Sequence, residues 1–236
     1  MKQMKILIIF LIILIFGAFI FSKINWKIEI FAPELKIPKI IVTADKDNDW
    51  IPDNLDIVEG ARGEVKNKTT YKSWYYSWGY PPKNEWVCTD VVWRALKNTW
   101  YDLKKMIDWD ISKNISKYSR VAWKPDSNID FRRVPNLETY LKRNAVSLTT
   151  KVIPNDIKNL EQWQAWDIVI FWNHWNNRVK TQKKALDHTA IISDKRNKNW
   201  VPFIIHNSAP VPKENDWLIY WDENISKIIG HYRLKY

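Results

Sequence analysis

The chain has one cysteine and five glycines in 236 residues, and both shortages carry information. With Cys88 alone, no intramolecular disulfide can form and no paired-cysteine zinc site is available, so a structural metal would need carboxylate ligands. At average usage a chain of this length has about 16 glycines, whereas this one has 16 tryptophans. Acidic residues are also few: 26 Asp and Glu face 37 Lys and Arg, leaving a net charge of +11. A hydrophobic fraction of 46% excludes a disordered chain and suits one globular domain with appendages.

The tryptophans explain the missing glycines. In Asp-Lys-Asp-Asn-Asp-Trp50-Ile-Pro-Asp, the indole stands where a calcium loop needs the sharp turn of glycine. Asn199-Trp200-Val201 separates two apolar runs where Asn-Gly would close a hairpin. Ala165-Trp166-Asp167 precedes the strand-like Ile168–Phe171. Trp78, Trp86, Trp100, Trp109, Trp123, Trp172 and Trp175 follow the same logic, and moving all ten gives 15 glycines and 6 tryptophans. The expectation is that the source reads UGA as Gly at these codons. A tryptophan-rich sugar-binding surface, the alternative, would not select turn positions.

Lys2 and Lys5 precede an apolar run from Ile6 to Phe21 with no small-residue cleavage site after it. Residues 1–23 are therefore expected to be an uncleaved membrane anchor, or else a signal segment, with the rest of the chain exported. Residues 24–44, around Pro33 and Pro38, read as an extended spacer. Asp45, Asp47, Asp49, Asp53 and Asp56 fall at loop positions 1, 3, 5, 9 and 12, with the Ile51 carbonyl at position 7, which predicts a structural Ca²⁺ site over 45–56. The remainder, 57–236, should be one domain. Helices are expected over 56–68, 91–97 and 137–143 and strands over 167–171, 188–193, 203–206 and 228–233. Helices first and strands later argue an α+β fold.

Cys88 precedes Thr89-Asp90 and an apolar helix, so its sulfur should sit at a helix N-terminus, where amide groups favour a thiolate and can hold an oxyanion. His188 opens one predicted strand and His206 closes the next. Paired through the turn at Asn199-Trp200, the two lie at one end of the sheet. A Cys nucleophile, a His base and a polar residue orienting that base is the arrangement of thiol acyl transfer. Asp130, Arg132 and Arg133 could hold an anionic group of a substrate. His174 and His231 read as structural or solvated.

With Gly at position 86, the segment Glu85–Val92 resembles the Cys motif of the bacterial DUF1287 family, a relative of the NlpC/P60 cysteine peptidases. Collinear matches are Asn128–Leu137, Gln164–Val169, His188–Asp194, Ile205–Asn207 and Ile229–Arg233. The resemblance implies a papain-like core with the Cys-bearing helix packed on an antiparallel sheet, and the roles of nucleophile for Cys88, base for His188 and orienting residue for His206. Val87 and Thr189-Ala190 depart from the usual NlpC/P60 pattern. The expected activity is that of a membrane-anchored, extracytoplasmic thiol hydrolase cutting an amide bond in cell-wall peptides, with no cofactor for the chemistry. Its partners would be peptidoglycan or another anionic wall polymer and the membrane, not nucleic acid. A non-catalytic wall-binding scaffold and an acyltransferase are the alternatives.

Overall fold

The structure, a computed structural model, describes residues 37–121, 124–172 and 188–235. The expected anchor, Trp123, His174 and Trp175 lie outside the described residues, among which no helix is long and apolar enough to cross a membrane.

Among the described residues, six α-helices and eight strands follow one another in the mixed order of an α+β fold. Helix α1 (Asp53–Asn67) starts directly after Pro52, and Lys68 closes it in the left-handed conformation at φ 49°. The short parallel pair β1 (Thr70–Tyr71) and β2 (Glu85–Trp86) leads into α2 (Cys88–Asn98). Val91, Val92, Ala95 and Leu96 form the buried stripe of α2. Next come α3 (Leu103–Asn114), whose first turn Asp102 caps by accepting the Lys105 amide, and α4 (Val134–Asn144), with Pro135 in its first turn where no amide is needed.

The C-terminal half builds an antiparallel sheet in the order β3-β8-β4-β5-β6-β7. Its strands are β3 (Val146–Ser147), β4 (Ile168–Trp172), β5 (His188–Arg196), β6 (Pro202–Ser208), β7 (Val211–Asn215) and β8 (Lys227–Arg233). Both faces of the central strands are covered, which is why they read as unbroken apolar runs. Ile168, Ile170, Ile191 and Ile205 pack toward α2, α3 and α4. Val169, Phe171, Ala190, Ile192 and Ile204 pack toward Leu160 and Trp163 around α5 (Ile157–Leu160), and toward Leu218 and Trp221 of α6 (Leu218–Asn224).

The backbone tests the tryptophan argument. Trp50 (φ 73°), Trp100 (57°), Trp166 (74°) and Trp200 (63°) all adopt the left-handed conformation that glycine takes freely and a bulky side chain resists. Trp50 and Trp100 are 93% and 68% exposed, whereas Trp166 is buried with its indole N–H unpartnered. Trp86 is a correction: it lies in extended β2, fully buried, donating Nε1–H to the Lys83 carbonyl beneath the Arg94 guanidinium. Trp78, Trp109 and Trp172 also lack the left-handed geometry.

The expected spacer needs correcting at its C-terminal end. The Ile40 amide donates to Gln164 Oε1 and the Pro38 carbonyl accepts from Gln164 Nε2. Asn54 accepts the Val42 amide and donates to the Ile40 carbonyl. Two side-chain amides thus sew residues 38–42 onto the domain.

Candidate active site

Cys88 is the first residue of α2, preceded by Val87 in extended conformation. Asp90 fixes this start, because its carboxylate accepts the Val87 amide at 2.8 Å. Arg132 grips the same carboxylate with two hydrogen bonds of 2.8 Å, and its third nitrogen donates to the Trp74 carbonyl at 2.7 Å. The Thr89 hydroxyl returns a hydrogen bond to the Arg132 carbonyl. The ion pair is fully enclosed, with side chains 2% and 0% exposed.

The Cys88 thiol is buried, and the backbone amides of Thr189, Thr89 and Cys88 itself act to lower its pKa. Thr189 follows His188, so the thiol sits at the head of β5, one residue from the expected base. The His188 ring lies on the face of β5 shared with Ala190 and Ile192, whereas Cys88 belongs to the cluster on the helical face. Thiol and imidazole thus lie on opposite faces at the head of the strand, and no hydrogen bond joins them among the described residues, whereas His188 and His206 do meet.

His188 Nε2 and His206 Nδ1 are 2.9 Å apart, the contact expected from the hairpin. Register gives the reason: Ile191 opposes Ile205 and Ile192 opposes Ile204, which makes His188 and His206 diagonal neighbours on one face. Behind them His206 Nε2 lies 3.4 Å from the Asn215 amide. Trp221 stacks on His188 with ring centroids 4.3 Å apart and meets His206 edge-on.

Electrostatically the site rests neutral. Burial pushes the Cys88 thiol up to about 12, and the Asp90 charge adds to this against the opposing amides. The thiolate expected at this helix start is therefore absent at rest, since desolvation outweighs the helix terminus. Burial also holds His188 well below its ordinary value, with His206 adding to the effect, and lowers His206 to about 4, with Lys213 adding to the effect.

The structure places the expected substrate-binding trio, Asp130, Arg132 and Arg133, in contacts within the fold. Arg132 spends its guanidinium on Asp90 and Trp74. Asp130 is buried and accepts from the Asp126 amide and from Arg133, while Asn136 donates to its carbonyl. Arg133 is bound to Asp130 and to the Arg120 carbonyl. All three are engaged within the protein. His231 is structural as expected: it joins Asp167 (2.9 Å) to the Thr149 carbonyl (2.7 Å) and stacks on Trp163.

Asp45, Asp47 and Asp49 bring a carboxylate oxygen each to within 4.8 Å of one another. Asp53 does not join them: its two oxygens accept the Lys46 amide and the Tyr101 hydroxyl, and the residue is fully buried. Asn215 and Trp221 were missed from the sequence. No motif marks either one, and only the pairing of β6 with β7 and the return of α6 bring them to the histidines.

Residues 58–234 match the family described as a domain of unknown function, DUF1287. The chain belongs to the DUF1287 family. A relative in Escherichia coli K12, the uncharacterized protein YijF, is 37% identical over 187 residues, covering 76% of this chain and 81% of its own. No solved structure matches the chain.

Proposed function

We propose that this DUF1287 protein is an extracytoplasmic thiol hydrolase of the NlpC/P60 type, cleaving an amide bond in cell-wall peptides. The observation that carries the reading is the His188–His206 contact of 2.9 Å at the head of β5, with the buried Cys88 at the start of α2 packed toward the same strand. With Nε2 of His188 engaged by His206, Nδ1 is the nitrogen left for the thiol. A base at Nδ1 requires the proton on Nε2, donated to His206 Nδ1; His206 then carries its own proton on Nε2, toward Asn215. The Asn215 amide turned to offer its oxygen completes that chain of tautomers.

In the reaction, His188 takes the Cys88 proton as sulfur bonds to the substrate carbonyl carbon, and the oxyanion is held by amides at the start of α2. The C–N bond breaks as His188 returns the proton to the leaving amine, giving a thioester. Water then attacks the thioester with His188 as base, releasing a carboxylic acid and restoring the thiol. Because the resting pair is neutral, proton transfer accompanies attack. An acyltransferase would differ only in the second acceptor.

Burial of the thiol also favours a second reading, a wall-binding scaffold that keeps the fold without turnover. Mass spectrometry of cell-wall peptides incubated with the protein separates the two. Cleavage is expected from the native chain, lost in Cys88→Ala and slowed about 10²–10⁴-fold in His188→Ala. Thiol labelling should rise tenfold per pH unit from pH 7 to 10 without a plateau. Intact peptides with the native chain, or equal turnover in His188→Ala, would overturn the hydrolase.

A further inference from the structure

We infer that the loop 45–51 and the first turn of α1 form a calcium site in which Asp45, Asp47, Asp49, the Ile51 carbonyl and Asp56 are the ligands and Asp53 is not. The site lies before the matched family region, which begins at residue 58, and is independent of the thiol chemistry. Three carboxylates converge within 4.8 Å, and Asp45 uses its two oxygens to accept the Asp49 and Trp50 amides, which winds the loop around the cluster.

The second observation is Asp56. It is only 5% exposed, and its Oδ2 is buried without a hydrogen-bond partner; Asp47 Oδ1 is in the same condition. Asp56 stands three residues after Asp53 in the first turn of α1, on the same side of the helix, and Asp53 is hydrogen-bonded to Lys46 and Ala44, so this turn lies against the loop that carries the cluster. Each unpaired buried carboxylate oxygen is costly, and like charges this close are costlier still. A hard divalent cation removes both costs, and carboxylates with a backbone carbonyl are the oxygen shell calcium takes. Arginine or lysine could have filled that role, but no cation is paired with Asp45, Asp47, Asp49 or Asp56 in the ion pairs among the described residues.

Asp53, at position 9, is instead a clasp. It holds the Lys46 amide and the Tyr101 hydroxyl, while its own amide donates to the Ala44 carbonyl at 2.8 Å. The ion would therefore join the loop to α1 at a point where the strap 38–44 is already fastened.

The test is calorimetric titration of the full chain in detergent with CaCl₂ and, separately, MgCl₂. One saturating calcium site is expected, with weaker magnesium binding. Trp50→Gly should tighten it, because the turn at φ 73° no longer opposes an indole. Asp47→Asn with Asp49→Asn should weaken it at least tenfold. Asp49 is exposed, so Asp49→Asn alone leaves the packing intact and serves where the pair of substitutions disturbs folding. No calcium-dependent heat in either the native or the Trp50→Gly chain, or unchanged affinity in the Asp49→Asn chain, would overturn the site.

Discussion

At the scale of single residues, backbone conformation separates tryptophans that fit from those that do not. Trp163 stacks on His231 at 3.8 Å and Trp221 stacks on His188, so each uses its ring. Trp50, Trp100, Trp166 and Trp200 use theirs little or at a cost. All four stand at left-handed φ, and the buried Trp166 leaves its N–H unpaired, which costs about 1–3 kcal/mol. The coding DNA is expected to carry UGA at these four positions and UGG at Trp163 and Trp221. Mass spectrometry of the protein from its own source should then find Gly at 50, 100, 166 and 200; UGG codons there would end the idea. Trp86 moves from the expected glycines to the tryptophans that fit, because its burial and its hydrogen bond to Lys83 account for an indole.

At the scale of elements, the site depends on how the start of α2 is held. Arg132 comes from a 3-10 turn (Asp130–Arg132) 42 residues away in sequence, yet it provides the buried counter-charge of the residue that caps α2. Arg132→Ala leaves Asp90 charged and enclosed, and about 3–5 kcal/mol of stability should be lost in urea denaturation. Arg133→Ala, at a partly exposed side chain, should cost under about 1 kcal/mol. Comparable losses would mean that Asp90 does not rely on Arg132. This pair also marks the limit of what could be read in the sequence. The helix at Cys88 was legible because a capping residue and an apolar stripe are local signals, and the β5–β6 hairpin because two apolar runs flank one turn. Whether an arginine faces a substrate or a buried aspartate depends on a contact between distant segments. Strand β7 escaped for another reason: Val-Pro-Lys-Glu-Asn lacks apolar alternation and takes its place by pairing with β6.

At the scale of the whole molecule, one ionic cluster ties helix α1 to the edge of the sheet. Arg62 of α1 reaches Glu214 of β7 at 2.8 Å and Asp194 of β5, and also pairs with Glu59. Glu214 further accepts from Lys195 and from the Ser193 hydroxyl, each at 2.6 Å. Burial works against its charge, but these hydrogen bonds prevail and bring its carboxyl down from 4.5 to about 2. A carboxyl lowered by folding adds stability that is complete above its unfolded value and is lost as pH falls toward the folded one. The contribution of Glu214 is therefore expected to hold at pH 5 and above and to fade between about pH 4.5 and 2. Asn215, which faces His206, is the next residue, so losing this tether should release β7 and the far end of the histidine chain together. Urea denaturation across pH 2–7 provides the check. Glu214→Gln should be less stable than the native chain at pH 7, and the difference should shrink toward pH 2 because protonation makes the native side chain neutral too. A stability difference independent of pH would mean that the glutamate acts by packing and not by its charge.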